Sequence, residues 1–306
     1  MAAFLIVAGV GGLVAFSTTS LFGPATRDRT AESLGAKPTE LPRGGTKILP
    51  DYRVVAYYGS PGGTLLGALG GGTPSRVAEQ LDDEASDYGS LARPVLPAFE
   101  LIATIVRDTP GSDGKWRSRL SDEVIEQYLQ AARQQQMILI LDIQPGRARF
   151  MDEVRHYEKF LVERDVSLAL DPEWSMAPGE VPGKVIGQTD AATVNEVSAY
   201  LDQIVQKHKL PQKLLIIHEF TETMIENRSA LVDRPGLATV FNVDGFGTPE
   251  AKVNKYIDLT SDPERPPFVF TGFKLFYEED IRNGSRIMTW SEVLDLDPQP
   301  DVIVYE

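Results

Sequence analysis

The amino-acid sequence predicts an α/β fold, a single (β/α)8 barrel of the TIM type in residues 51–306. Eight short apolar segments with strand character alternate with helical segments, at a repeat of roughly 25 to 35 residues, which suits such a barrel. Polar or ionisable side chains follow most of these segments. No G-x-G-x-x-G pattern follows the first of them. We therefore favour a closed barrel over an open doubly wound sheet, which shares the same alternation.

The strand-like segments are short, apolar and bounded by Gly, Pro or polar residues. In chain order they are residues 53–58, 94–105, 137–142, 167–170, 184–188, 214–217, 237–243 and 268–273. The predicted helices between them are residues 75–88, 121–132, 152–163, 191–208, 223–232 and 249–259. A last helix begins at Thr289, and Pro298 and Pro300 end it before the apolar residues 302–305.

Residues 1–22 are mostly apolar, and we predict that they form an export segment, either a cleaved signal peptide or a retained membrane anchor. As a helix this segment would span about 33 Å, which is enough to cross a bilayer. Residues 23–50 are rich in Pro, Gly and Thr without an apolar period, and are predicted to be a linker. We thus expect an exported protein, extracellular or anchored at the cell surface. A buried N-terminal helix is the alternative.

The charge balance limits the class of partner. Lys and Arg number 30 against 44 Asp and Glu, a net charge of −14. This excess of acid argues against nucleic acid and polyanionic substrates, whereas neutral sugars carry no such penalty. The chain has no cysteine, which excludes a disulfide framework and a thiol nucleophile.

Two carboxylates follow the fourth predicted strand, in the sequence Ser167-Leu-Ala-Leu-Asp-Pro-Glu-Trp174. Because alternate strand residues share a face, Asp171 and Glu173 can project to the same side. Glycoside hydrolysis uses one protonated and one ionised carboxyl group, and close placement of two carboxylates separates their pKa values. Trp174 can shield Glu173 from water or stack on a sugar ring. We predict that this pair is catalytic; the alternative is that Asp171 caps a turn and that Pro172 and Glu173 lie in solvent.

Polar side chains at the other strand ends extend the predicted site, because barrel enzymes build their active sites on this rim. Asp142 and Glu219 are the further catalytic candidates. Only one of His218 and Glu219 can point into the barrel if their strand is regular. The predicted substrate-binding residues are the remaining polar and aromatic side chains at the strand ends: Tyr57, Tyr58, Glu100, Gln144, Trp174, His218, Asp244 and Lys274.

The stretch Leu170-Asp171-Pro-Glu173 resembles the D-x-E signature at the fourth strand of chitinase-type (β/α)8 glycoside hydrolases. The fuller D-x-x-D-x-D-x-E pattern is incomplete, because Val166 and Ala169 stand where it has Asp. The resemblance implies that Glu173 is the general acid and that Asp171 orients it and an acetamido group of the substrate. The whole chain looks like the exported glycoside-hydrolase-like barrels of bacterial envelopes.

These features predict an exported hydrolase that cleaves a polysaccharide or glycoconjugate through paired carboxylates, without a cofactor or a metal. Two alternatives stay open. A metal-dependent hydrolase would use an oxygen-rich Mg²⁺ or Ca²⁺ site made by Asp142, Asp171, His218 and Asp244. A non-catalytic surface barrel would bind a glycan or another protein. Ser-His-Asp chemistry is not indicated, because the chain has no G-x-S-x-G motif.

Overall fold

The computed structural model describes residues 39–64, 67–90 and 92–306. The predicted export segment, residues 1–22, and most of the predicted linker lie outside these residues. In the described part of the chain, no helix combines the length and the apolar character needed to cross a membrane. Export therefore stays a prediction.

Eight parallel strands close into a barrel, which confirms the predicted fold class. Each strand pairs with the next along the chain, and the first also pairs with the last, so the ring is closed. The strands are β1 (Arg53–Gly59), β2 (Val95–Val106), β3 (Ile138–Ile143), β4 (Val166–Leu170), β5 (Lys213–Glu219), β6 (Leu237–Val243), β7 (Phe270–Leu275) and β8 (Val302–Tyr305).

Helices between the strands form the outer layer. They are α1 (Pro74–Ala85), α2 (Asp122–Gln134), α3 (Phe150–His156), α4 (Glu158–Leu161), α5 (Ala191–His208), α6 (Pro249–Thr260) and α7 (Trp290–Leu294). Side chains of Thr73, Asp190, Thr248 and Thr289 accept hydrogen bonds from the first turns of α1, α5, α6 and α7, which fixes where these helices begin. The apolar helix faces and the outward strand residues share one buried cluster.

Alternation along each strand divides the side chains between the barrel interior and the helix layer. On β5, Leu214 and Ile216 belong to the interior apolar cluster, whereas Leu215 and Ile217 belong to the outer one. The interior is apolar where the strands begin and becomes polar towards their carboxyl ends. His218 is the inward residue at that end of β5. The polar side chains at the carboxyl ends of the strands therefore face one another inside the barrel.

The predicted strand at residues 184–188 is wrong. This segment is a loop whose Val185 forms an isolated bridge with Pro182, and β8 supplies the eighth strand instead. Val302–Tyr305 pairs with both β7 and β1, a long-range closure that the local pattern does not reveal.

The predicted helix at residues 223–232 is also wrong. It contains a short strand, Ile225–Glu226, and the left-handed backbone of Asn227 interrupts a helix there.

Residues 39–50, which the sequence assigns to the linker, belong to the folded domain. Leu41, Ile48 and Leu49 are buried in the interior apolar cluster, next to the first residues of the strands. The side-chain oxygen of Gln212 accepts hydrogen bonds from the backbone N–H groups of Ile48 and Leu49, at 2.8 and 3.0 Å. The segment thus closes the amino-terminal end of the barrel.

We expect Ile48→Ala to lower the free energy of unfolding by about 2–4 kcal/mol, because it leaves a cavity in the barrel interior. Ile186→Ala is the matched control, since Ile186 is 61% exposed in a loop, and it should change stability by less than about 0.5 kcal/mol. Urea denaturation of the two variants measures both values. Equal effects would show that residues 39–50 do not contribute to the core.

Candidate active site

Polar side chains from every barrel strand converge at the carboxyl end of the barrel. All but two of them are at most 7% exposed, Asp244 and Glu306 being half-buried. The group comprises Tyr58 on β1, Glu100 on β2, Asp142 and Gln144 at the end of β3, Asp171 after β4, His218 on β5, Asn242 and Asp244 at the end of β6, Lys274 on β7 and Glu306 after β8.

Five of these residues form a continuous chain of ion pairs. His218 Nε2 contacts Glu100 Oε1 at 2.8 Å, and His218 Nδ1 contacts Asp244 Oδ2 at 2.8 Å. Lys274 Nζ lies 3.2 Å from the same Asp244 oxygen and 2.7 Å from Glu306 Oε2. Each cation therefore lies between two carboxylates, and Asp244 is shared by both cations.

The ion pairs determine the protonation state of each group. Burial alone would lower the pKa of His218, but Asp244 and Glu100 raise it well above the usual value. Burial likewise opposes the charge of Lys274, yet Asp244 and Glu306 raise its pKa well above the usual value. Burial would raise the pKa of Asp244, but the charges of His218 and Lys274 lower it. These three groups are held charged.

A second set of hydrogen bonds joins the first strand to the third and fourth. The Tyr58 hydroxyl lies 3.3 Å from Asp142 Oδ2 and 3.4 Å from Asp171 Oδ2. Gln144 Nε2 donates to the Tyr58 oxygen at 3.1 Å. Burial raises the pKa of Asp142 to about 7, and burial followed by the charge of Glu173 raises that of Asp171 well above its usual value. Near neutral pH this set retains protons.

Tyr58 connects the two sets. Lys274 Nζ lies 3.6 Å from the centre of the Tyr58 ring, within the range of a cation–π contact. The Tyr58 ring also meets the His218 ring edge-on, with centroids 5.8 Å apart. Both cations of the site are thus packed against one aromatic side chain, which fixes their positions as well as their charge.

A cleft of about 720 Å³ opens above this cluster. Its polar lining comprises Tyr58, Arg107, Asp108, Gln144, Glu173, Asp244, Lys255, Lys274 and Glu306. Its apolar lining includes Ile102, Ile105, Trp174, Phe220, Phe246 and Phe276. Phe246 is 64% exposed and meets Phe276 edge-on. The cleft can therefore take a ligand that presents both hydroxyl groups and apolar faces.

Glu173 reaches the cleft from one short 3-10 turn, Pro172–Trp174, directly after β4. Its backbone carbonyl accepts a hydrogen bond from Gly187 N at 2.7 Å. A Cβ on Gly187 would lie 2.5 Å from the Ser175 carbonyl oxygen, so glycine is required for this close approach. Burial, and then the negative charge of Asp244, raises the pKa of Glu173 to about 7. Glu173 can therefore hold a proton at the cleft near neutral pH.

The structure brings together most of the predicted site residues. They are Tyr58, Glu100, Asp142, Gln144, Asp171, Glu173, Trp174, His218, Asp244 and Lys274. Two predicted residues lie elsewhere, because strand alternation turns them outward. The Tyr57 hydroxyl bonds to Glu84 of α1 at 2.5 Å. Glu219 pairs with the buried Arg228 at 3.2 Å on the helix side of β5, and its side chain does not line the cleft.

Sequence reasoning missed three residues of the site. Asn242 donates to Asp244 Oδ1 at 2.5 Å, and alternation with Asp244 on one strand could have revealed it. Glu306 follows β8, which was not recognised as a barrel strand. Gly187 lies in the segment assigned to a strand, and its contact with the Glu173 turn depends on tertiary structure.

Comparisons of this chain with models of known protein families and with curated proteins found no match.

We expect Lys274→Met to lower the free energy of unfolding at pH 7 by about 2–5 kcal/mol, because it leaves Asp244 and Glu306 without their shared buried cation. Lys255→Met is the matched control. Lys255 lines the same cleft but donates only to the Phe220 carbonyl oxygen among the described residues, so the expected loss is below about 1 kcal/mol. Equal losses in urea denaturation would contradict a stabilising role for the ion-pair chain.

Proposed function

We propose that this domain hydrolyses a glycosidic bond in the cleft, with Glu173 as the general acid. The observation that carries this proposal is the position of Glu173: it lines the cleft and has a pKa of about 7. A carboxyl group that is protonated near neutral pH can donate its proton to the oxygen of the leaving sugar. The bond between the anomeric carbon and the leaving oxygen breaks, and water adds to that carbon. Glu173 then takes up the proton that the water loses, which restores its starting state.

Asp244 is the second carboxylate of this mechanism. Its Oδ2 contacts His218 and Lys274, and its Oδ1 accepts from Asn242, so both oxygens are already hydrogen-bonded. A carboxylate held in this way is a poor nucleophile, but its negative charge can stabilise the positive charge that develops on the sugar ring. We assign Asp244 electrostatic stabilisation of the transition state.

Asp142 and Asp171 take supporting roles in this proposal. Both are buried behind Tyr58 and Gln144, which line the cleft. This position favours orientation of those side chains over direct attack on the sugar. For Asp171 it agrees with what the chitinase-type D-x-E resemblance implies, namely an Asp that orients the acid and an acetamido group of the substrate.

The proposed substrate is a neutral glycan. Aromatic side chains such as Trp174, Phe246 and Phe276 offer surfaces on which the C–H faces of sugar rings can pack. Glu173, Asp244 and Glu306 offer acceptors for hydroxyl groups. The net charge of −14 disfavours polyanionic glycans. Export of the chain, with action on an envelope or extracellular polysaccharide, belongs to the same proposal and rests on the apolar residues 1–22.

Glu173→Gln should lower kcat/KM for glycan hydrolysis by about 10²–10⁴-fold, because glutamine cannot donate a proton. Only the protonated acid is active, so wild-type kcat/KM should be level below pH 7 and fall about tenfold per pH unit above the pKa of about 7. The residual activity of Glu173→Gln should lack this decline. A library of neutral oligosaccharides, including acetamido sugars, supplies the substrates.

Glu278→Gln, which changes an exposed glutamate outside the cleft, should behave as the wild type in the same assay. The proposal fails if Glu173→Gln hydrolyses the best substrate at the wild-type rate. It also fails if the wild type binds glycans without hydrolysing any of them, since that result would identify a non-catalytic binding barrel.

A further inference from the structure

Three side chains below the cleft offer donor atoms to a common point. Glu100 of β2, Asp142 of β3 and His218 of β5 each contribute one atom, and these atoms all lie within 4.8 Å of one another. All three residues are at most 1% exposed. Because they project from three strands of a closed barrel, their backbone positions are rigid and already bring the three side chains together.

Two of the carboxylate oxygens in this cluster are unsatisfied. Glu100 Oε2 and Asp142 Oδ1 are buried and have no hydrogen-bond partner among residues 39–64, 67–90 and 92–306. A buried carboxylate oxygen without a partner is costly, and in a native protein such an atom calls for a bound water or ion. The two oxygens belong to neighbouring, paired strands.

His218 is oriented as a metal-binding imidazole would be. Its Nδ1 contacts Asp244 Oδ2 at 2.8 Å, while its Nε2 is directed at Glu100 Oε1, also at 2.8 Å. In the metal-free site His218 is protonated on both nitrogens, so an ion binds at Nε2 by displacing the proton that faces Glu100 Oε1, while Asp244 continues to accept the Nδ1 proton. The carboxylate–histidine pair found behind many metal ligands is therefore present in Asp244 and His218.

We propose that Glu100, Asp142 and His218 bind a divalent transition-metal ion such as Zn²⁺. Binding releases the Nε2 proton of His218 and any proton on Asp142 to solvent, after which two carboxylates and a neutral imidazole supply a charge of −2 that the ion neutralises. Tetrahedral ligand atoms at about 2.0–2.2 Å from Zn²⁺ lie about 3.3–3.6 Å apart, so atoms that now lie within 4.8 Å of one another must approach by at most about 1.5 Å. The imidazole favours Zn²⁺ over Mg²⁺ or Ca²⁺, which prefer oxygen ligands alone.

The surrounding charges are compatible with such an ion. Lys274 does not face the three ligand residues: its Nζ contacts Asp244 Oδ2 and Glu306 Oε2. The Tyr58 hydroxyl faces Asp142 Oδ2 and leaves Oδ1 for the ion. This ligand set differs from the Asp142, Asp171, His218 and Asp244 set considered from the sequence, because Asp171 bonds to Tyr58 and Gln144 and Asp244 supports the histidine. The proposal does not rest on glycoside hydrolysis.

Isothermal titration of the full chain, first treated with a chelator and dialysed, with Zn²⁺ tests this site. Wild-type protein should bind one equivalent, and Glu100→Gln or Asp142→Asn should weaken binding by about 100-fold or more. The chain has three histidines. The double variant His156→Gln/His208→Gln therefore removes every other imidazole and should bind Zn²⁺ as the wild type does. Circular dichroism verifies that each variant is folded.

Histidine ¹⁵N NMR of the wild-type chain gives a readout that does not depend on the carboxylate variants. Addition of Zn²⁺ should shift the Nε2 resonance that persists in the His156→Gln/His208→Gln variant, which belongs to His218. The proposal is overturned if that resonance does not move at about 1 mM Zn²⁺. Binding that the double histidine variant abolishes, or that folded Glu100→Gln and Asp142→Asn both retain, also overturns it.

Discussion

The site depends on the pairing of buried charges at one end of a closed barrel. Because β1 pairs with β8, inward side chains cannot reach solvent between the strands. Their charges must therefore be balanced within the barrel interior. Lys274 and His218 provide the balancing cations, and both contact Asp244 Oδ2. The pairing therefore sets the orientation of the histidine, the lysine and the shared carboxylate at the same time.

The same constraint decides which carboxyl groups keep a proton. Two cations are shared among the Glu100, Asp244 and Glu306 carboxylates, which leaves Asp142, Asp171 and Glu173 without a cation of their own among the described residues. Burial raises the pKa of all three. Of these three, Glu173 lines the cleft, where a ligand can receive its proton. The surplus of buried acid therefore leaves one carboxyl group, that of Glu173, which lines the cleft and retains a proton near neutral pH.

The barrel and most of its polar rim could be predicted from the sequence, because strand spacing and strand-end residues are local features. Side-chain direction could be predicted only as an alternative. Only one of His218 and Glu219 could point inward, whereas Tyr57 and Tyr58 were both expected at the rim; the register of the closed barrel selects His218 and Tyr58. The role of β8 could not be predicted, since pairing between the first and last strands brings together residues nearly 250 positions apart. The Glu173–Gly187 contact is hidden for the same reason: it joins loops whose proximity depends on the whole fold.

The most direct test is the pKa of the Glu173 carboxyl group itself. A ¹³C NMR titration of glutamate side-chain carbons in the full chain can follow it, with the resonance assigned by its loss in Glu173→Gln. Desolvation at the cleft, reinforced by Asp244, predicts a midpoint of about 7. A midpoint near the usual glutamate value of about 4.3 would contradict the central claim, because Glu173 would then be ionised at neutral pH and could not act as the proton donor.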